Sequence, residues 1–254
     1  MKRYKLEPIP DLTAQLNKNV KRLPVILCED ISASMASKCE LMNKVMSQFF
    51  EIKSREPLVC TRTNISVIKF NNKIYESKET RLSEYEFRKF SDDDFTGTTH
   101  LWGALDKAVK LSKKYFDNAG YWTPIILLYT DGFPNDEHKD LKSKVIAKLQ
   151  NHEKQRDILL FILGIGDEAG DVQELNPDVL NRISIYRDKS VLYAYKQEMD
   201  TYRFFQFVMR TITNTITYTP FIVEKNGQYK MPPEAIDELY HLYSEQQKEI
   251  ILEK

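Results

Sequence analysis

Three short, uninterrupted apolar runs constrain this chain more than any other feature of its sequence. They are Leu23-Pro24-Val25-Ile26-Leu27-Cys28, Ile125-Ile126-Leu127-Leu128 and Ile158-Leu159-Leu160-Phe161-Ile162. Each is too short for a core helix and lacks the polar alternation of a strand with one wet face. Such runs are the mark of strands buried on both faces, as in a parallel sheet covered by helices. Between them the apolar period changes. Leu41, Met42, Val45, Met46, Phe49 and Phe50 recur at helical spacing, and so do Leu101, Leu105, Ala108 and Val109, with Lys107, Lys110, Lys113 and Lys114 turned mostly to solvent.

Further strands are expected at Asn64 to Phe70 and Val191 to Tyr195, and the Asn71-Asn72 turn predicts an edge hairpin with Ile74-Tyr75. A helix is expected near Tyr202 to Ile212. Gly164-Ile165-Gly166 lacks the rest of a dinucleotide fingerprint and reads as a turn after a strand. The alternation implies an α/β fold, a doubly wound, mostly parallel open sheet flanked by helices. A C-terminal extension follows, extended over Tyr218 to Tyr229 and helical from Glu234 to Glu253. Ile236, Leu239, Tyr240, Tyr243, Ile250 and Ile251 lie near one side of that helix, which must pack on its own domain or on another chain; packing on its own domain is favoured. The organisation is thus a lead-in at 1–21, a main domain at 22–215 and the extension at 216–254.

The 254 residues carry 37 Lys plus Arg against 37 Asp plus Glu, a balance that argues against a nucleic-acid binder. Neither a signal segment nor a membrane span is expected. Three cysteines without metal-finger spacing fit free thiols in a reducing cytoplasm, and Cys28, inside an apolar run, reads as a small buried hydrophobe. His100, His138, His152 and His241 show no metal-ligand spacing. Asp92-Asp93-Asp94 reads as a solvated loop.

The chemistry-bearing residues sit where strands end or helices begin. Asp30-Ile31-Ser32-Ala33-Ser34 follows the first strand, and in an extended segment Asp30, Ser32 and Ser34 share one side. Thr99 lies in a Gly-Thr-rich loop before the Leu101 helix, and Asp131 in Thr130-Asp131-Gly132 follows the Pro124 to Tyr129 strand. Ligands of doubly wound sheets bind beyond the carboxyl ends of the strands, where the strand order reverses. If the Leu23 and Pro124 strands flank that reversal, two carboxylates and three hydroxyls form an all-oxygen site suited to Mg²⁺, with Mn²⁺ or Ca²⁺ as alternatives, and unsuited to Zn²⁺. Taken singly, each piece has a plainer reading: a helix cap at Asp30 to Ser34, another at Thr99, a turn at Asp131-Gly132.

Together these residues resemble the von Willebrand factor A family, whose metal-ion-dependent adhesion site uses Asp-x-Ser-x-Ser, a distant Thr and a distant Asp. The resemblance spans roughly Arg22 to Thr215. It implies metal ligands at Asp30, Ser32, Ser34, Thr99 and Asp131. More narrowly, the chain resembles the bacterial tellurite-resistance, TerY-like branch, with Gly164-Ile165-Gly166 in the matching place. Glu29 departs from the family's usual apolar residue; it is expected to reach solvent from the strand end, with an extra charge beside the metal as the alternative. The resemblance implies a non-enzymatic module that binds a protein partner's acidic side chain through the metal, in a stress or defence system with kinase- or phosphatase-like partners. Two other functions remain open. One is a Mg²⁺-dependent phosphohydrolase or phosphotransferase, against which stands the want of an evident Lys or His near Asp30. The other is a metal-free scaffold that binds through the C-terminal helix. Asp30, at a strand end, is expected to be dispensable for folding.

Overall fold

A computed structural model of the chain describes residues 21–55, 57–116, 118, 120–136, 139–166, 175–195, 223–225 and 228–241. In chain order they form β1 (Leu23–Asp30), α1 (Cys39–Arg55), α2 (Pro57–Arg62), β2 (Thr63–Phe70), β3 (Ile74–Glu76), β4 (Thr80–Arg81), α3 (Leu101–Phe116), β5 (Ile125–Thr130), α4 (Lys139–Lys154), β6 (Leu159–Gly166), α5 (Pro177–Ile183), β7 (Val191–Tyr195), β8 (Val223–Lys225) and β9 (Gln228–Lys230). A last helix, α6, covers 233–241. The helix expected near Tyr202 to Ile212 and the part of the tail helix beyond 241 lie outside the described residues. No helix among them is long and apolar enough to cross a membrane.

The sheet runs β3-β2-β1-β5-β6-β7, with β4 also paired to β2. β2, β1, β5, β6 and β7 are mutually parallel, while β3 and β4 run antiparallel to β2. The chain moves outward from β1 to β2 and then crosses back to place β5 on the other side of β1. The order therefore reverses at the β1/β5 boundary, and the crevice beyond Asp30 and Thr130 is the switch point.

Alternate residues of the apolar runs feed two core layers. Val25 and Leu27 pack on one face with Met42, Met46 and Phe50 of α1. Ile26 and Cys28 pack on the other with Leu101, Leu105, Ala108 and Val109 of α3 and Val145 and Leu149 of α4. All of β1 is buried, and a fully buried Leu, Ile or Val contributes roughly 1.5–3 kcal/mol. The helix α4 escapes sequence reading because its buried stripe is thin amid lysines. Gly164 does not sit in a turn after the strand; it lies inside β6, and Gly166 is the last residue of that strand. A Cβ on Gly164 would come within 2.8–3.1 Å of Leu180, Tyr193 and Leu175, so glycine there admits close packing on the sheet.

The tail closes the first layer. Ile236, Leu239 and Tyr240 of α6 are buried beside Leu159 and Phe161. β7 pairs with β6 only from Ile162 onward, so among the described residues the start of β6 has no strand neighbour on that side. The Tyr240 hydroxyl takes the place, accepting from Leu160 N–H at 3.1 Å and donating to Leu160 C=O at 3.0 Å.

One buried acid makes stability depend on pH. Glu153, at the end of α4, accepts from Ser184 Oγ at 2.6 Å and from Ile185 N–H at 2.8 Å. Burial lifts its carboxyl from 4.5 to about 7, outweighing those hydrogen bonds. Between these values the folded state holds a proton that the unfolded chain has released, so stability falls as pH rises through that window and stays reduced above it. The full penalty is on the order of 3 kcal/mol. Gln can accept from Ile185 N–H and donate to Ser184 Oγ. Urea melts at pH 5 and pH 8 should therefore show Glu153→Gln more stable than the wild type at pH 8, with a shallower loss between the two. A variant that is weaker at both values would show the ionised carboxylate to be favourable.

Candidate metal centre

Three loops meet at the switch point and are stitched by backbone hydrogen bonds. Ala33 N–H donates to Gly97 C=O at 3.1 Å, and Thr96 N–H to Ile31 C=O at 3.0 Å, joining the Asp30 segment to the Thr99 loop. Asn135 joins that loop to the Asp131 turn. Its N–H donates to Thr99 C=O at 2.8 Å, and its side-chain oxygen accepts from Thr99 N–H at 2.9 Å.

Asp30, Ser32, Thr99 and Asp131 are buried, whereas Ser34 is exposed. The Asp30 segment does not stay extended. Asp30 ends β1, its Oδ1 accepts from Ser32 N–H at 2.9 Å, and Ala33–Lys38 winds into a 3-10 helix. Ser32 and Ser34 approach through this turn, their hydroxyls 3.2 Å apart. The plain capping readings are not what the side chains do. Ser32 stands at the N-cap without a side-chain capping bond, and the α3 N-terminus is capped by Asp136, which accepts from Trp102 N–H and Gly103 N–H. The Asp131-Gly132 turn does form, with Gly132 at φ +81°, and an added Cβ there would also meet Leu180 Cγ at 2.9 Å.

The two carboxylates are differently engaged. Asp30 Oδ2 accepts from Thr130 Oγ1 at 2.6 Å. Burial first, then the Asp131 charge, push the Asp30 carboxyl up to about 7. Asp131 Oδ1 accepts from Phe133 N–H at 3.1 Å, but Oδ2 is buried with no hydrogen-bond partner among the described residues. Its neighbour is the Lys38 ammonium at 3.7 Å, itself 2 % exposed and donating to Ser34 C=O at 3.0 Å. A lysine therefore does have a place beside the site, which sequence spacing missed. Lys38 stands four residues after Ser34 at the end of the 3-10 helix, and nothing in the Asp-x-Ser-x-Ser string announces it. Thr130, which anchors Asp30, and Asn135, which anchors Thr99, were equally unforeseen.

Glu29 does not reach solvent. Strand alternation turns it to the face opposite Asp30, where it is 1 % exposed, with Lys69 Nζ at 3.9 Å and no hydrogen-bond partner among the described residues. Burial, partly offset by Lys69, lifts its carboxyl to about 7. Asp30 is likewise no peripheral strand-end residue: it is fully buried and holds two hydrogen bonds, so its removal costs the fold as well as the site. Asp92–Asp94 forms an exposed 3-10 turn closed by a Ser91 capping box. Cys28, Cys39 and Cys60 are buried thiols, and no disulfide joins them.

The donor set fits a hard divalent cation. It is all oxygen, and one buried carboxylate oxygen lacks a hydrogen bond among the described residues, which a native structure rarely tolerates without an ion or water. No group of three or more His, Cys, Asp or Glu gathers among the described residues. A cation held here would therefore need hydroxyls, waters and an incoming ligand to complete its shell.

No protein-family model matches the sequence, and no curated protein matches it either. Solved structures do share its fold. The pilus adhesin SpaC from Lactobacillus rhamnosus GG superposes with a TM-score of 0.58 at 13% identity, over 78% of this chain and 31% of the adhesin. An aerotolerance-related membrane protein from Bacteroides fragilis gives 0.51 at 15% identity, over 76% of this chain and 99% of that one. Proximal thread matrix protein 1 from the mussel byssus gives 0.51 at 17% identity, over 75% of this chain and 47% of that one. The chain thus spans less than a third of the adhesin's length. At these identities the likeness is one of fold, and the fold is of the von Willebrand factor A type.

Proposed function

We propose that this chain is a divalent-metal-dependent protein-binding module that engages an acidic side chain of its partner through Asp30, Ser32, Ser34, Thr99 and Asp131. The observation that carries this reading is Asp131 Oδ2, buried at the switch point with no hydrogen-bond partner among the described residues, in a site whose other oxygens are hydroxyls and a second carboxylate. Mg²⁺ suits such a set, and Mn²⁺ and Ca²⁺ share its preference for oxygen. With only two protein carboxylates, a carboxylate from a partner supplies charge that the site lacks. The motif's resemblance to the tellurite-resistance branch supports a cytoplasmic role in a bacterial stress or defence system, with kinase- or phosphatase-like partners. In this reading 22–215 is the metal-bearing domain, 1–21 a lead-in and 216–254 an extension that completes the core.

A cation bound only by the folded state raises stability by mass action, about 2.7 kcal/mol at a hundredfold excess over Kd. For a domain of this size that is a melting shift of roughly 5–10 °C. Calorimetry should find one Mn²⁺ per chain, and millimolar Mg²⁺ should raise the melting temperature of chelator-treated protein by that amount. A melt indifferent to both metal and chelator would remove the reading.

The Lys38 ammonium beside Asp131 favours one rival, metal-assisted phosphoryl chemistry, because it could hold a phosphate oxygen. Against it, both oxygens of Asp30 are already hydrogen-bonded, which blunts its use as a nucleophile. Turnover of a generic aryl phosphate with Mg²⁺ that disappears in Lys38→Met would establish the rival.

A further inference from the structure

Resting on the metal reading above, we propose that Lys38 is a tethered internal cation that competes with the divalent ion for Asp131, so that metal binding requires its ammonium to leave the site. The geometry is specific. Lys38 Nζ lies between two members of the proposed ligand set, 3.7 Å from Asp131 Oδ2 and 3.0 Å from Ser34 C=O. At 2 % exposure it belongs to the site and not to the surface.

Three physical consequences point the same way. Burying an ammonium is costly unless a counter-charge is close, and Asp131 supplies one. A dication held by Asp131 would face that ammonium a few ångströms away in a poorly screened setting, where like charges repel strongly. Lys38 is also joined to Ser34 through a single 3-10 turn, so its effective concentration at the site is high and constant. The apparent affinity for metal is then the intrinsic affinity reduced by the fraction of molecules in which Lys38 has moved away. A lysine is suited to this exchange because its long stem can swing without disturbing the backbone. The pairing keeps the buried carboxylates compensated until metal arrives, and it raises the metal concentration at which the module becomes competent.

The test uses the full chain, Mn²⁺ as the probe, and two readouts. Calorimetric titration should give Lys38→Met a Kd for Mn²⁺ about tenfold or more tighter than the wild type. In the wild type, acetylation of Lys38 by acetic anhydride, followed by peptide mass spectrometry, should rise severalfold when Mn²⁺ is saturating. Tight binding by the variant with none by the wild type would be the same competition at its extreme. Equal affinities, or Lys38 equally protected with and without Mn²⁺, would overturn the competition while leaving the metal site standing. Absence of Mn²⁺ binding in both proteins would overturn the metal reading, and the competition with it. Should Lys38→Met fail to fold, the acetylation of the wild type decides the matter alone.

Discussion

Removing residues 232–254 should abolish the cooperative melt or lower it by about 15 °C or more. Ile236 and Tyr240 are each 1% exposed and Leu239 8%, all in the layer that holds Leu159 and Phe161. Truncating one such side chain costs about 2–5 kcal/mol, so losing all three approaches the 5–15 kcal/mol that holds a typical domain together. Tyr240 adds a polar loss. Without its hydroxyl, Leu160 N–H and C=O give up the partner that replaces a strand neighbour, and Tyr240→Phe alone should cost about 1–3 kcal/mol in denaturant melts. The tail's ring also stacks on Tyr186 at 3.7 Å between centroids. A truncated chain that melts within a couple of degrees of the full one, yet loses partner binding, would make the tail a binding element and not part of the core.

The fold was legible where burial is complete. β1, β5 and β6 are uninterrupted apolar runs because helices cover both of their faces, and such runs read the same in sequence and structure. The helix that starts at Leu101 was readable because its apolar stripe is wide and continuous. Lys139–Lys154 was not, because lysines dilute a stripe that in effect rests on Val145 and Leu149. Glycine misled in one place: Gly164 and Gly166 have the composition of a turn, but close approach by Leu175, Leu180 and Tyr193 explains Gly164 in a strand. At the candidate site, motif spacing named the candidate oxygen donors, while the supporting contacts stayed hidden. Lys38, Thr130 and Asn135 reach it through hydrogen bonds and ion pairs that depend on how three loops meet, a long-range property that no local pattern encodes. Glu29 failed for a simpler reason. A charged residue at a strand end is normally wet, and here the Phe50, Tyr85, Phe87 and Phe90 rings and Lys69 close over that face.

Asp131→Asn should weaken Mn²⁺ binding by about a hundredfold or more, beyond what any other single change at the site would do. Among the described residues, Asp131 offers the one carboxylate oxygen of the site that is buried without a hydrogen-bond partner. Each Asp30 oxygen already accepts a hydrogen bond, so Asp30 contributes its charge in a more committed form. Losing a carboxylate from a set that contains only two removes half of the protein's compensating charge, worth several kcal/mol in a poorly solvated setting, and ~2.7 kcal/mol already gives a hundredfold. The amide oxygen of Asn can still accept from Phe133 N–H, so the turn should survive. The same substitution also takes the Asp131 charge away from the Lys38 ammonium, 3.7 Å from it. Breaking a buried pair from one side costs about 3–5 kcal/mol, so Asp131→Asn should melt well below the wild type even in chelator. Adding Lys38→Met should recover part of that loss without restoring metal binding, because it removes the buried ammonium that faced Asp131 and supplies no ligand. Asp92→Asn, in the exposed acidic turn, serves as the control and should bind Mn²⁺ as the wild type does. Calorimetry and thermal melts on the four proteins separate the two effects. If Asp131→Asn keeps wild-type affinity for Mn²⁺, the ion is held elsewhere. If the double variant is no more stable than Asp131→Asn, the Lys38–Asp131 pair contributes little, and the destabilisation comes from the turn.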